Sequence, residues 1–271
     1  MRDEMNRYNP DITIITPTLN SGKYISKCID SIRQQHGVVV EHIIVDGGSV
    51  DDTLLISQES GARVILLNGS SIYQALNYGV KIAGSNYVGF LNSDDYYHSS
   101  TSLSDVVKSF NLNPHYKIIY GNCRFVNSFG VELYRLISPP MVDYFFARMR
   151  YFNVSHPSWF ISKSAFNDMG GYDEKLRYIS DCDFLLRALR SGVLFKYVNT
   201  AFASFTLHSF NTSSSISARM EMRRSFSELN GNSVLFLIFH YLLLINMFMG
   251  DPRYFKFRLL KLFKRLLDSS S

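Results

Sequence analysis

The chain has 271 residues, enough for one large domain or a domain with an appendage. At 46% hydrophobic and 19% charged residues it can bury a full core, which excludes a disordered chain. The net charge of +5 gathers at the end: from Gly250 to Ser271, Arg253, Lys256, Arg258, Lys261, Lys264 and Arg265 face only Asp251 and Asp268. The remainder is nearly neutral, unlike a nucleic-acid binder with basic charge spread over its body, so no nucleic-acid partner is expected.

In chain order, residues 1–10 form a polar N-terminal segment without the apolar stretch of a secretion signal. DITIIT (Asp11 to Thr16) reads as a strand. Ile25, Cys28, Ile29 and Ile32 then recur at helical spacing, which predicts a helix over Ser21 to Gln35. HIIVDG closes a second strand and DDTLLISQES forms a second helix. ARVILL, SIYQALNYGVKIA and YVGFLN follow as strand, helix and strand. This alternation predicts an α/β fold with a mostly parallel sheet flanked by helices.

Ligands of such sheets bind beyond the carboxyl ends of the strands. Polar residues collect there three times: Thr16, Thr18 and Asn20 after the first strand, Asp46 to Asp52 after the second, Asp94 and Asp95 after the fourth. Asp46 precedes two glycines that let a ligand approach the backbone, and its carboxylate can accept from an imide N–H such as uracil's. The competing reading is a solvated turn, a role assigned to Ser49 to Asp52 as a cap of the next helix. Asp94 and Asp95, in FLNSDDYY, are like charges side by side after a buried run. Such a pair suits Mg²⁺ or Mn²⁺ completed by substrate phosphates, with an ordinary wet turn as the alternative.

The second half is less regular. KIIYGNCRFVN and VELYRLIS read as strands joined by a hairpin around SFG. HPSWFIS precedes a short helix and GGYDEKL, and SDCDFLLRALRSG forms a helix from Ser180 to Gly192. LFKYVN and AFASFTLH read as two further strands, followed by a serine-rich loop, Ser209 to Ser217. Asp181 and Asp183 in a first helical turn complement the macrodipole, while Asp181 can also face the crevice as a general base. His156 and Trp159 sit in SHPSWF; the aromatic face of Trp159 suits either a sugar ring or a core. His208 ends a strand where it could touch a diphosphate, and Arg187 and Arg190 read as a solvated face.

Taken together, TPTLN, VDGGSVDD, IYQALNYGVKIAGSNYVGFLNSDD, HPSWF, GGYDEKL and SDCDFLLRAL, in that order, resemble the family 2 inverting glycosyltransferases of bacterial polysaccharide and O-antigen assembly. The resemblance covers about Asp11 to Leu189. It implies a GT-A, Rossmann-like fold with a catalytic domain over 11–217, its nucleotide-sugar half about 11–98 and its acceptor half about 115–217. It implies that Thr16, Pro17, Thr18 and Asn20 belong to the first nucleotide-binding loop and that Asp46 contacts the base. Asp95 is then the metal ligand, with Asp94 at the metal or ribose, and Asp181 is the catalytic base. His156, Trp159 and Asp183 fall toward the acceptor. The implied cofactor is Mn²⁺ or Mg²⁺ and the implied donor a UDP-sugar. Two positions depart from the family pattern: Asn92 stands for the first acid of the metal motif, and Ser180 for the acid before the catalytic aspartate.

Residues 218–271 read as a helical, basic tail. An apolar run of 16 residues, Val234 to Met249, is broken by His240 and Asn246 and is short for a membrane span. In YFKFRLLKLFKRLL, Phe255, Leu259, Leu262 and Leu266 share one stripe, a pattern for an anionic membrane interface or for a cap packed on the domain. Three scattered cysteines, Cys28, Cys123 and Cys182, fit a reducing compartment. The expectation is a cytoplasmic enzyme, peripheral on the inner membrane face, acting on a lipid-linked glycan. A nucleotidyltransferase and a non-catalytic, membrane-attached nucleotide-sugar-binding subunit are the alternatives.

Overall fold

The computed structural model describes residues 9–142, 154–207 and 221. The basic tail, apart from Glu221, and His208 lie outside the described residues, and so do the expectations placed on them. The strands are β1 (Ile12–Thr18), β2 (Val40–Asp46), β3 (Arg63–Leu66), β4 (Tyr87–Phe90), β5 (Tyr96–Tyr97), β6 (Ile118–Val126), β7 (Glu132–Leu136), β8 (Trp159–Ser162) and β9 (Phe195–Thr206). The helices are α1 (Ile25–Arg33), α2 (Thr53–Glu59), α3 (Ile72–Ile82), α4 (Ser102–Leu112), α5 (Lys163–Asp168) and α6 (Ser180–Arg190). The strands form one sheet in the order β3-β2-β1-β4-β8-β6-β9-β5, with β7 pairing β6.

The first half is parallel throughout. β1 is buried at every residue and pairs β2 from Ile12↔Val40 to Thr18↔Asp46. That register sets Thr18 beside Asp46 at the carboxyl edge. β3 joins β2 and β4 joins β1, also parallel, so Leu66 and Phe90 end near the same edge. The second half is mixed. β8 runs antiparallel to both β4 and β6, while β9 is parallel to β6. The reversal of β8 matters for the site: its beginning, not its end, lies at the carboxyl end of β4. A 3₁₀ turn over His156–Ser158 leads into it.

Alternation along the strands divides the core. Ile12, Ile14 and Phe160 join Cys28 of α1 and Leu103, Val106 and Phe110 of α4 on one face. Ile15, Trp159 and Ile161 join Leu76 and Val80 of α3 and Phe184 of α6 on the other. The α4 helix was not read from the sequence, although Leu103, Val106 and Phe110 carry a buried helical stripe. WFIS, read as the approach to a helix, is β8 itself. LFKYVN and AFASFTLH are one strand whose pairing with β6 shifts around Asn122. The hairpin around SFG is observed.

Helix α3 is fixed at its start by a capping box: Ser71 Oγ accepts from Gln74 N, and the Gln74 side chain accepts from Ser71 N. Its middle lies against β1 so closely that a Cβ on Gly79 would meet Ile15 Cγ2 at 2.4 Å. Ile15 is fully buried and cannot move aside. The overlap outweighs the helix propensity that alanine would add, about 1 kcal/mol. Gly79→Ala should therefore destabilise the fold by about 1–3 kcal/mol, read as a lowered Tm. An unchanged Tm would mean that α3 stands further from β1.

Candidate active site

Three loops leave the carboxyl edge and are laced together. After β1, Asn20 adopts a left-handed backbone, φ 51°, and its Oδ1 accepts from Val50 N at 2.9 Å. Asn20 N donates to Ser49 Oγ at 2.8 Å, Ser21 N to Thr53 Oγ1 at 2.7 Å, and Gly22 N to Asp51 Oδ2 at 3.1 Å. These contacts delay the start of α1 from the expected Ser21 to Ile25. The third loop, after β4, is tied in by Ser93 Oγ donating to Ser21 Oγ at 2.8 Å.

Asp46 is buried, and its own loop engages it. Oδ1 accepts from Gly48 N at 2.8 Å and Ser49 N at 2.7 Å, and Oδ2 accepts from Ser49 Oγ at 2.6 Å. A carboxylate has about four acceptor sites, so room for one further donor remains. Asp46 thus shapes the turn after β2.

Asp95 ends the turn that begins at Asn92, its N–H donating to Asn92 O at 3.0 Å. It is 1% exposed. Oδ1 accepts from Thr206 N at 2.9 Å, but the equally buried Oδ2 has no partner among the described residues. Burial drives its carboxyl well above the ordinary aspartate range, and the neighbouring Asp94 adds to this. The Thr206 N–H and the nearby Asn92 side chain oppose the shift. Asn92 Oδ1 is also buried without a partner. Two orphaned hard oxygens on one short turn, beside a second carboxylate, fit a divalent cation. No group of three or more His, Cys, Asp or Glu stands ready for a metal among the described residues, so an ion here would need a substrate's oxygens to complete its shell.

Asp181, half-buried in the first turn of α6, accepts from the Tyr73 hydroxyl through Oδ1 at 3.0 Å. His156 stacks on Phe90, the last residue of β4, with ring centres 5.4 Å apart, and shares a 2.9 Å hydrogen bond with the Tyr172 hydroxyl. Burial pulls the His156 imidazole below its usual range, and the Asp181 charge opposes this. The reversed β8 thus brings the His156 turn up to the Asp181 helix.

Side-chain placement bears on four of the expectations. Thr16 is buried, and its Oγ1 shares a 3.0 Å hydrogen bond with His42 Nε2. Trp159 is fully buried and stacks on Phe184, which makes it core and not a sugar platform. Asp183 is held by Arg187 Nε at 2.8 Å. Arg187 is not simply solvated, because its other nitrogens donate to Met169 O and Gly171 O and tie α6 to the loop after α5. Pro17 is buried within β1 opposite Val45. Thr18 Oγ1 is buried without a partner, and Ser180 Oγ likewise, among the described residues.

Sequence reasoning missed Tyr73 and Tyr172, whose rings read as core. A groove of about 470 Å³ runs along the outer side of α3, lined by Asn68, Gln74, Tyr78, Lys81 and Glu174 among others. It includes none of Asp46, Asp94, Asp95 or Asp181. The carboxylates define the site better than this groove does, because desolvated charge at a strand edge is what marks chemistry.

The chain is similar to several known proteins. The chain is 29% identical over 210 residues to a Mycobacterium tuberculosis PGL/p-HBAD biosynthesis glycosyltransferase, covering 72% of this chain and 77% of the relative. It is 27% identical over 209 residues to Pasteurella multocida hyaluronan synthase, of which it spans 21%. Among solved structures, S. aureus TarS 1–349 in complex with UDP-GlcNAc superposes with a TM-score of 0.66 at 23% identity, over 82% of this chain and 67% of that one. TarS 1–349 alone is spanned over 60% of its length. The mannosyltransferase PcManGT from Pyrobaculum calidifontis, in complex with GDP-Man and Mn²⁺, gives 0.59 at 15% identity, over 89% and 65%. At these identities the structures establish the GT-A-like fold alone. Residues 13–170 match the model of the family described as "Glycosyl transferase family 2", and the chain belongs to that family and is a glycosyltransferase.

Proposed function

We propose that the protein transfers a sugar from a nucleotide-diphosphate donor, a UDP-sugar, to an acceptor hydroxyl with inversion. The observation that carries this reading is the buried Asp95 Oδ2, without a partner among the described residues and beside Asp94, at the edge where the loops after β1 and β2 are already laced together. Thr18, Asn20 and the remaining acceptor capacity of Asp46 hold the nucleotide. Asp94, Asp95 and Asn92 hold Mn²⁺ or Mg²⁺, which when bound offsets charge on the leaving diphosphate. Asp181 takes the proton of the attacking hydroxyl. Because a hydroxyl is far less acidic than a carboxylic acid, that transfer runs late, alongside bond formation. The half-buried His156 lies toward the acceptor side. Neither Asn92 nor Ser180 removes the base, so the binding-only and nucleotidyltransferase readings have no observation in their favour.

Incubation with a panel of UDP-, GDP- and dTDP-sugars, with Mn²⁺ or with a chelator, tests this reading. Metal-dependent release of UDP supports it. Release that ignores the chelator would remove the metal role, and no release from any sugar donor would remove the donor class.

The acceptor we infer is lipid-linked, a reading that rests on the sequence of the tail. Among the described residues no helix is long and apolar enough to cross a membrane. Six basic residues near an anionic surface would each add on the order of 1 kcal/mol. Full-length protein should therefore sediment with phosphatidylserine-containing liposomes and be released by salt, which screens the attraction. Indifference to such liposomes at low salt would refute the interfacial tail.

A further inference from the structure

Tyr73 is the second residue of α3, and its position is fixed from both sides. Before it, the Ser71–Gln74 capping box sets the start of the helix. One turn after it, Asn77 donates to Tyr172 O at 2.9 Å and accepts from Tyr172 N at 2.9 Å. The Tyr73 ring is buried 5.2 Å from that of Tyr172. Its hydroxyl is thereby aimed at α6, where it donates to Asp181 Oδ1. Burial first, and the Asp181 charge second, keep the phenol protonated and able to donate.

The groups that face Asp181 come from four elements. Tyr73 belongs to α3, Tyr172 to the loop after α5, His156 to the 3₁₀ turn before β8, and Cys182 to α6 itself. The Arg187 guanidinium near Tyr172 is held by Asp183. His156 and Tyr172 hydrogen-bond each other, and Tyr73 reaches the carboxylate. We propose that Tyr73 is a positioning residue for the transfer reaction: its hydroxyl fixes one oxygen of Asp181 and leaves the other turned to the acceptor hydroxyl. An aspartate in a first helical turn can otherwise rotate about two side-chain bonds, and misplacement of a base by about an ångström is enough to slow a reaction substantially. The same tyrosine links the base to the loop before α3. Leu67 N in that loop donates to Asp46 O at 2.7 Å, and Gly69 N to Gly47 O at 2.9 Å. The base is thus registered against the nucleotide loops by a chain of direct contacts.

This inference rests on Asp181 acting as the base. Its test is a pair of double-mutant cycles with Tyr73→Phe, Asp181→Ala and both together. Phe keeps the buried ring, so folding is preserved. In thermal unfolding, the cost of Tyr73→Phe in the wild-type background should vanish in the Asp181→Ala background, because either change removes the same bond. Additive costs would show that the bond is absent and overturn the proposal. In turnover, read as nucleoside diphosphate released from the donor most active in the panel, Tyr73→Phe should lower kcat about tenfold at unchanged donor KM. The change should have no further effect beside Asp181→Ala. Coupled stabilities with an unaltered kcat would make the hydroxyl a packing feature and overturn the positioning role alone. An Asp181→Ala variant with wild-type turnover would instead remove the base assignment itself.

Discussion

Asp181→Asn should bind donor with near-normal affinity and turn over at least about a hundredfold more slowly, the usual size of a general-base contribution. The exchange is nearly isosteric. Its Oδ1 can still accept from the Tyr73 hydroxyl, so the side chain keeps its place in the first turn of α6 while losing the ability to take a proton. Comparison of donor affinity by thermal shift with single-turnover rates separates the two effects. Neighbouring Asp183 cannot easily substitute, because Arg187 holds its carboxylate and is itself anchored on two backbone carbonyls. Wild-type turnover in Asp181→Asn would move the base elsewhere; loss of donor binding would make Asp181 a binding group.

Asp95→Asn should separate the two costs carried by the turn after β4. Its folded-state pKa is raised above the ordinary value of 3.8, so the ionised form is the destabilised one. The sign follows: the stability that the protonated carboxyl contributes is fully present below the unfolded pKa and is lost as pH rises through the folded pKa. Without metal, wild-type Tm should therefore fall relative to Asp95→Asn as pH climbs from about 4, and the gap should widen toward neutrality. Addition of UDP and Mn²⁺ should reverse the order. A ligand at a hundredfold its Kd stabilises by about 2.7 kcal/mol, which is several degrees in a chain of this size. The variant, with at least about a hundredfold weaker affinity, should gain little. Equal shifts in both proteins would show that Asp95 does not hold the cation. Parallel Tm–pH curves without metal would show that its burial is compensated.

The first half of the chain was legible because strands buried on both faces and helices with one apolar stripe leave clear periods in the sequence. The strand-end acids were legible for a related reason: charge placed after an apolar run needs an explanation. The second half was harder. In β8 only four residues pair, and their run, WFIS, alternates between two buried faces rather than between core and water. Periodicity cannot distinguish such a strand from the start of a buried helix. The surroundings of Trp159, Thr16 and Asp183 were not legible because residue type says what a side chain can contact but not which way it points. Thr16 and Thr18 share one buried face of β1, where Thr16 is engaged by His42, and the spacing of Asp183 and Arg187 on α6 favours their pairing. Tyr73 was invisible for the opposite reason, since its ring obeys the core pattern while only its hydroxyl does chemistry.

Under the proposed function, in which these loops seat the nucleotide, the lacing of the loops after β1, β2 and β4 has a consequence for how selectively a donor is recognised. Asn20, Ser21 and Gly22 are each bonded to a residue of the neighbouring loop, and Ser93 reaches Ser21. The conformational entropy of ordering these segments is therefore lost when the chain folds, not when a ligand arrives. A seat built in advance discriminates by shape at first encounter, so a wrong base meets misaligned donors and acceptors that cannot rearrange around it. It also makes loop length a conserved quantity in the mechanical sense. Inserting one residue between Leu19 and Thr53 would throw several cross-links out of register at once, whereas a side-chain exchange at Val50, which is 91% exposed, should leave the frame intact.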